Sequence, residues 1–504
     1  MKKVLFIKNA AVLTVTALLL RLAGIIFKVW LAAAIGSEGI GLYQLVLSVY
    51  VLVSAFASGG ICTAVTRLCA EELAVGSAKG AKRVLKKGII LSLLLAVVSL
   101  AAVFLSADFT AFVLLGDARA AGAVRVLGFS LPFMAVSSCV RGYFFARRKT
   151  ISPGIAQIIE QTARILLVLT LASQFASRGI GFACAAVMLG DTVAEGVSCL
   201  FLCLVLRHDA KKLGNAEGNT AKHGYRKIVS VSLPITAGRY LNSLLRTAEN
   251  LLVPRCLSAL SSAASALSQF GMIKGMALPL LFFPSSFLNS VSTLLIPEMS
   301  EASALGQKYK IRYAAEKVVR LTSISSFLAA ALFSALSLPL SRAVYNEPAV
   351  GYLLRALAPI VPLMYLDSVC DGMLKGLDRQ RFVFIITVTD SAARLLLIPI
   401  IVPRMGMTGF LLIMIASNIY TAAARIGMLI KVSEMNISVS KNVVMPFVSA
   451  VFAVSGSVWA LSRFALSDAV LSICVTLMAL VIYIIFILFF GCVSRDDIAD
   501  LFGK

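Results

Sequence analysis

Basic side chains recur inside apolar segments at intervals that place them on one face of a helix. In the first apolar segment, Arg21 and Lys28 are seven residues apart, which corresponds to two helical turns. The seventh segment repeats this spacing with Arg239 and Arg246, and Asn242 lies between them. Guanidinium groups bind phosphate bidentately and compensate for its desolvation. This pattern therefore predicts a site for a phosphate or pyrophosphate headgroup.

The predicted cationic site extends to the eighth apolar segment, where Lys274 adds another charge. The alternative interpretation is that each cation reaches for the membrane surface or pairs with a nearby acid such as Glu249. A protein that exports cations would need a negatively charged wall around its transport site. The positive charge of this predicted site is therefore the main chemical feature that favours a phosphate-bearing substrate over a cation. The predicted substrate-binding residues are Arg21, Lys28, Arg239, Asn242, Arg246 and Lys274.

A second pattern combines an acid with an arginine four residues later. Glu160 and Arg164 form this pair in the fifth segment, and Asp390 and Arg394 form it in the eleventh. Such residues face each other on a helix, and their pairing lowers the cost of burying each charge. We expect these residues, and Glu249, either to lock a helix bundle or to couple transport to an ion. Further carboxylates four residues apart are candidate cavity or bundle contacts: Asp191 with Glu195, and Asp367 with Asp371.

The chain that carries these residues is too apolar to be a soluble domain. Hydrophobic residues make up 59% of its 504 residues, 14% are charged, and the mean hydropathy is +0.93. A membrane-spanning helix needs about 20 mostly apolar residues. The sequence predicts fourteen such helices, at roughly 10–34, 40–62, 88–107, 122–145, 154–174, 180–206, 228–252, 266–296, 317–339, 352–374, 382–402, 407–430, 443–463 and 468–490.

An internal repeat organises these helices. Residues 63–167 match the residues 230 positions later without a gap. Identical residues recur at this offset, as in Glu71/Glu301, Arg125/Arg355, Pro132/Pro362, Gly142/Gly372 and Arg164/Arg394, and some of them are charged residues inside apolar segments. Internal repeats are typical of transporter folds. The sequence therefore predicts an all-α integral membrane protein with two six-helix lobes in parallel repeat, followed by two C-terminal helices.

The predicted boundaries follow from this repeat. They are 1–206 for the N-lobe, 207–227 for a cytoplasmic linker, 228–431 for the C-lobe, and 432–504 for the last two helices with a short cytoplasmic tail. The net charge of +23 does not indicate nucleic acid, because most of the 47 Lys and Arg residues lie in alternate loops. Basic loops of membrane proteins face the cytoplasm. The sequence therefore predicts a multi-pass protein of the cytoplasmic membrane with both termini cytoplasmic.

Enzyme signatures are absent from the sequence. Its two histidines, His208 and His223, lie in the linker between the lobes, and no phosphate-binding loop or metal-ligand cluster occurs. We therefore expect no catalytic activity, no metal and no cofactor.

The stretch RLAGIIFKVWLAAAIGSEGIGLYQL, together with the basic loop after AVTRLCAEE, resembles the stage V sporulation protein B family. This family comprises polysaccharide-type flippases of the multidrug/oligosaccharidyl-lipid/polysaccharide exporter superfamily, to which lipid II flippases also belong. Its first helix carries an arginine three residues before a glycine, matched here by Arg21 and Gly24, and a second basic residue, matched by Lys28. A further arginine that is frequent near the end of that helix is missing, because the segment reads LAAAIG.

The resemblance implies a flippase that moves an undecaprenyl-pyrophosphate-linked saccharide, such as a peptidoglycan lipid II precursor, across the membrane by alternating access. It implies spore cortex as the destination, and as partners the lipid-linked glycan, the phospholipid bilayer and cell-wall synthesis enzymes. It also implies that the basic residues of the lobe-opening helices and of the eighth span bind the substrate, here Arg21, Lys28, Arg239, Arg246 and Lys274.

Two other hypotheses stay open. A cation-coupled multidrug exporter of the same superfamily would use Glu160, Asp191 or Asp390 as its proton or sodium site. A non-transporting scaffold would recruit cell-wall enzymes through the linker at 207–227.

Overall fold

The computed structural model describes residues 2–175, 178–212, 224–286, 288, 299–436 and 438–492. The side chains of residues 2–18, Arg21, 172, 173 and 212 lie outside this description. Regular structure in the described ranges is helical and includes no strand. The prediction of an all-α membrane protein is confirmed for this part of the chain.

The chain forms two compact units, Met1–Gly271 and Met272–Lys504, called here the N-unit and the C-unit. The longer helices of the N-unit are α1 (Lys2–Ser58), α2 (Ile61–Ala74), α3 (Ala78–Leu105), α4 (Ala120–Gly128), α5 (Ser130–Ala146), α6 (Ile151–Phe175), α7 (Ile180–Lys212), α8 (Tyr225–Leu257) and α9 (Ala263–Gly271). A short helix, Ala107–Phe109, and a π-helical turn, Thr110–Leu115, lie between α3 and α4.

The longer helices of the C-unit are α10 (Lys308–Ala335), α11 (Ser337–Tyr345), α12 (Pro348–Leu357), α13 (Val361–Gly376), α14 (Gln380–Ser433), α15 (Met445–Leu461) and α16 (Asp468–Phe489). Shorter pieces are the π-helical turns Met272–Ala277 and Ser440–Val444, the helix Leu278–Leu281 and the 3-10 turn Ala358–Ile360. By its contacts α8 belongs to the N-unit, whereas the repeat assigns it to the C-lobe. The lobe boundaries stay a prediction, because they were drawn from the repeat and not from contacts.

Within the described residues, ten helical stretches are long and apolar enough to cross a membrane. Two of them, Leu22–Ala74 and Gln380–Ser433, contain 53 and 54 residues, more than twice the roughly 20 residues of one crossing. The long helices α1 and α14 in these stretches break at Gly36 and Gly406, where φ is 69° and 60°, a backbone conformation that glycine adopts without a Cβ penalty. Each break lies between two predicted spans.

The count of fourteen spans stays a prediction. The ten stretches do not include α8, whose many charged and polar residues lower its apolar content. Part of the eighth predicted span, 266–296, lies outside the described residues.

Helix α1 positions both α8 and α9 in the N-unit. Thr247 Oγ1 of α8 donates to the Ser48 carbonyl at 2.9 Å, and Asn250 Nδ2 donates to Ser48 Oγ at 2.8 Å. A Cβ atom at Gly41 would lie 2.2 Å from the Leu267 carbonyl oxygen of α9, so the two backbones are in direct contact there. Small residues permit such close approach between membrane helices.

The C-unit has an apolar core that joins α10 to α15 and α16. Ala450, Ala453 and Val454 of α15 are buried in it, as is Tyr483 of α16. The Tyr483 hydroxyl donates to the Ile324 carbonyl of α10 at 2.8 Å, which satisfies the polar end of this ring. The last two helices therefore pack on α10.

Candidate functional site

Charged residues of α5, α6 and α7 form one network inside the N-unit. Arg164 donates to Glu160 at 3.0 Å, so the intrahelical ion pair predicted from their spacing is present. Arg141 of α5 donates to the other oxygen of Glu160 at 2.8 Å. The Nε atom of Arg164 lies 2.7 Å from Asp191 of α7. This N-unit network therefore joins three helices through two arginines and two carboxylates.

The C-unit contains a second network, built by α13 and both halves of α14. Arg394 lies 3.0 Å from Asp390, so the second predicted intrahelical pair is also present. Beyond the break in α14, Arg425 donates to Asp367 of α13 at 2.6 Å and to the Thr387 hydroxyl at 2.9 Å. Arg425 is buried, with 8% of its surface exposed. This C-unit network neutralises carboxylates deep within the helix bundle.

Two arginines of these networks were missed by the sequence reasoning. Arg141 and Arg425 lie inside the predicted spans 122–145 and 407–430, and an ionisable residue inside a span is itself a signal. Neither has an acid four residues before it in the sequence, so the pattern that found Arg164 did not find them. Their carboxylate partners come from other helices.

A cavity of about 280 Å³ adjoins the N-unit network. Its charged lining consists of two cations and two carboxylates: Lys28, Arg164, Asp191 and Glu195. Neither Lys28 nor Glu195 has an ion-pair partner within 4.0 Å among the described residues, and Oε2 of Glu195 is buried without a hydrogen-bond partner there. A polar space of this size holds several water molecules. Lys28 therefore lies in a wall of balanced charge.

The polar residues predicted on α8 follow one face of that helix. Arg239 and Arg246 are exposed, and within the described ranges neither takes part in an ion pair or hydrogen bond. Asn242 lies between them, and its Oδ1 atom is buried without a described hydrogen-bond donor. Glu249, on the same helix, is buried with 3% exposure. Helix α8 thus presents two guanidinium groups without an acidic partner among the described residues, and the Asn242 amide oxygen between them is unsatisfied.

The other predicted substrate residues lie elsewhere. Arg21 belongs to α1, but its side chain is outside the described residues. Lys274 lies in the π-helical turn of the C-unit, with Nζ 5.8 Å from the centroid of the Phe410 ring, within the range of a cation–π contact. Of the predicted set, the structure thus groups the three α8 residues, places Lys28 in the N-unit cavity and places Lys274 beside an aromatic ring.

The chain is similar to known membrane proteins over most of its length. Residues 6–303 match the family model described as polysaccharide biosynthesis protein. Stage V sporulation protein B of Bacillus subtilis (strain 168) is 25% identical over 507 residues, which cover 99% of this chain and 98% of that protein. The lipid II flippase MurJ of the same strain is 22% identical, with coverage of 78% and 77%. The resemblance drawn from the start of the sequence is confirmed.

Solved structures show the same fold. The inward closed conformation of the lipid II flippase MurJ matches with a TM-score of 0.71 at 14% identity, covering 94% of this chain and 97% of that one. An inward-facing multidrug resistance transporter of the MATE family matches with a TM-score of 0.68 at 16% identity, covering 84% and 98%. The chain therefore has the all-helical, multi-pass fold of these membrane transporters.

Proposed function

The chain belongs to the polysaccharide biosynthesis protein family, and on this premise we propose that it is a flippase for an undecaprenyl-pyrophosphate-linked saccharide. The proposed cargo is a peptidoglycan precursor of the lipid II type. Two proteins similar to this chain are named for lipid II flipping and for sporulation, which supports this class of cargo and spore cortex as its destination.

The observation that carries the proposal is the division of the arginines inside predicted spans into two classes. Arginines of the first class lie within 3.0 Å of a carboxylate: Arg125, Arg141, Arg164, Arg394 and Arg425. Those of the second class, Arg239, Arg246 and Arg355, have no acidic partner in the described part of the chain, and the first two share one face of α8. A guanidinium group that is already paired has little capacity left for a ligand, whereas an unpaired one can bind phosphate bidentately.

The geometry of α8 suits a headgroup that carries both phosphates and sugars. Arg239 and Arg246 are seven residues apart, which is roughly 10 Å along the helix axis. They offer successive contacts for a pyrophosphate, and Asn242 between them offers an amide to a sugar hydroxyl or acetamido group. The prenyl chain would stay in the lipid while the polar headgroup crosses along the protein.

Several further parts of the proposal rest on the sequence. The repeat supports alternating access, in which the lobes at 1–206 and 228–431 rock about an axis along the membrane normal. The loop charges support a position in the cytoplasmic membrane with both termini inside the cell. We propose that transport involves no covalent chemistry on this chain and that cell-wall enzymes act on the product.

A cation-coupled multidrug exporter is the second candidate, and the N-unit cavity is the observation that favours it. Glu195 lines this cavity with an unsatisfied oxygen, as an exchangeable ion site would require. The carboxylates that this hypothesis first named, Glu160, Asp191 and Asp390, all lie within 3.0 Å of an arginine. The scaffold hypothesis depends on 207–227, much of which lies outside the described residues, and it stays a prediction.

The proposal is tested by headgroup accessibility of fluorescent lipid II in proteoliposomes containing the purified chain. We expect Arg239→Ala and Arg246→Ala each to reduce the translocation rate at least about tenfold, because each removes a charge-assisted contact worth roughly 1.5–3 kcal/mol. Arg226→Ala is the matched control, since Arg226 is an exposed arginine on the other side of the same helix. Undiminished lipid II translocation by both Arg239→Ala and Arg246→Ala would refute the proposed site.

A second arm separates the flippase from the exporter. Glu195→Gln should leave lipid II translocation within about twofold of the parent, because Glu195 lies on α7 whereas the proposed headgroup contacts lie on α8. If Glu195→Gln abolishes efflux of a cationic drug and the parent never moves lipid II, the exporter hypothesis replaces the flippase.

A further inference from the structure

Two arginines at equivalent positions of the repeat have different surroundings. Arg125 in the N-unit lies 2.6 Å from Asp108. Arg355 occupies the position 230 residues later, and the residue 230 positions after Asp108 is Leu338. Arg355 is exposed and has no acidic partner among the described residues. The second copy therefore carries the cation of this pair without its acid.

Arg355 borders a groove of about 790 Å³ in the C-unit, lined mainly by α10 and α15. Its volume lies within the roughly 300–1,000 Å³ typical of ligand sites. Alanine, valine, proline and aromatic side chains make up most of the lining, with a few serines, and Arg355 is the charged residue of the lining. The groove therefore combines a long apolar surface with one positive charge in its lining, and the guanidinium group of Arg463 lies 4.3 Å from the centroid of the Trp459 ring.

The charge lies at one end of the groove. The Phe327 and Phe447 rings meet edge to face at 6.0 Å and mark the apolar end. Trp459 lines the groove twelve residues after Phe447, which is roughly 18 Å further along α15. Helices α11 and α12 follow the end of α10 at Ala335. The next predicted span, 352–374, begins on the membrane side where α10 ends, so Arg355 near its start lies at the Trp459 end. Tryptophan is enriched where membrane meets water.

We propose that this groove binds an anionic glycerophospholipid, with its phosphate at Arg355 and one acyl chain along α10 and α15. A guanidinium group without an acidic partner attracts phosphate, and the apolar groove accepts a hydrocarbon chain. The predicted topology places this end of the groove at the outer leaflet. Helix α15 follows the second copy of the repeat, so the first copy, where Arg125 is already paired, lacks both parts of the site. The site does not depend on the transported molecule.

Trp459 makes the proposal measurable, because the chain has only two tryptophans. In a Trp30→Phe background, Trp459 is the single reporter. The purified full chain is placed in phosphatidylcholine vesicles with increasing fractions of phosphatidylglycerol carrying brominated acyl chains, which quench tryptophan on contact. Brominated phosphatidylcholine at the same fractions is the reference. We expect phosphatidylglycerol to reach half-maximal quenching at the lower fraction.

Arg355→Ala should raise the half-quenching fraction of phosphatidylglycerol about fivefold, since one basic residue near the surface contributes that much to anionic lipid binding. Arg125→Ala, the repeat-related control, should leave it unchanged. Ala331→Phe, which fills the groove while Arg355 remains, should abolish the preference for phosphatidylglycerol. Each variant is included only if it elutes from size-exclusion chromatography at the same volume as the parent, which shows that it is folded.

Three results would overturn the proposal. The first is equal quenching by both brominated lipids in the parent. The second is an unchanged half-quenching fraction in both Arg355→Ala and Ala331→Phe. The third is that added polyprenyl phosphate reduces the quenching of Trp459 while brominated phosphatidylglycerol quenches no better than brominated phosphatidylcholine. The groove would then bind the tail of a prenyl-linked molecule.

Discussion

The two ion networks use equivalent helices of the repeat with opposite charge. Position 141, on α5 of the N-unit, is an arginine, and position 371, on α13 of the C-unit 230 residues later, is an aspartate. In the N-unit, α5 supplies the cation, Arg141, which forms an ion pair with Glu160 of α6. In the C-unit, α13 supplies carboxylates, and Arg425 neutralises them from the second half of α14. The two copies share local charge balance and not residue type.

This difference has a physical reason. An uncompensated charge inside a membrane protein costs several kcal/mol. Stable folding therefore requires that the charges within each helix bundle balance, but it does not require a particular charge at each position. The acid and the base can therefore be carried by different helices in the two copies of the repeat. The networks differ in redundancy, because Glu160 has two arginine partners whereas Asp367 is neutralised by Arg425.

The largest expected effect follows from that lack of redundancy. Arg425→Ala leaves Asp367 without its cation, and we expect the free energy of unfolding to fall by about 3–5 kcal/mol, as when one partner of a buried pair is removed. Thermal unfolding of the detergent-solubilised protein, monitored by fluorescence, measures the change. The double variant Arg425→Ala/Asp367→Asn should recover most of the loss. If the double variant is no more stable than the single one, charge imbalance is not the cause.

A smaller effect is expected for the equivalent change in the N-unit. Arg141→Ala removes one of the two arginines of Glu160, while Arg164 remains in place at 3.0 Å. We expect a loss of about 1.5–3 kcal/mol, the value of one hydrogen bond to a charged group. The same unfolding measurement applies, with Arg67→Ala of the exposed pair Arg67–Glu71 as control. A loss that equals or exceeds that of Arg425→Ala would contradict the proposed redundancy.

The smallest effect is expected for an exposed pair, in which charge balance matters least. Lys308 Nζ lies 2.7 Å from Glu434, and its hydrogen bond lowers the pKa of the Glu434 carboxyl below its usual value. A lowered pKa in the folded state means that the pair stabilises the fold above pH of about 4.5 and that this contribution disappears as the pH falls further. Glu434→Gln should therefore differ slightly from the parent at pH 7 and match it in acid. A difference that grows on acidification would reverse this sign.

The helical membrane class and the two intrahelical ion pairs could be predicted from the sequence because both depend on local spacing. Apolar length defines a span, and a separation of four residues places Glu160 beside Arg164 whatever surrounds the helix. The partners of Arg141 and Arg425 could not be predicted, because they come from other helices. Such contacts depend on how far each helix is rotated about its axis, which packing decides.

The basic residues at seven-residue spacing illustrate the same limit. Lys28 and Arg246 each lie seven residues after another basic residue, yet Lys28 lines a cavity with carboxylates whereas Arg246 is exposed and has no acidic partner among the residues that the structure describes. Spacing predicts that residues share a helix face, but not what that face contacts. The hydrogen bonds of Thr247 and Asn250 to Ser48 show which side of α8 packs against α1.

The backbone contact between Gly41 and Leu267 also has a consequence for biosynthesis. These residues are separated by most of the N-unit, and at about 5–20 residues per second the ribosome needs roughly 10–45 s to make the intervening chain. During that time the surface of α1 around Gly41, which α9 covers in the folded protein, is exposed to lipid. Nascent chains that stall before α9 emerges would expose this surface to insertases and membrane proteases, so translation speed through the N-unit bears directly on its yield.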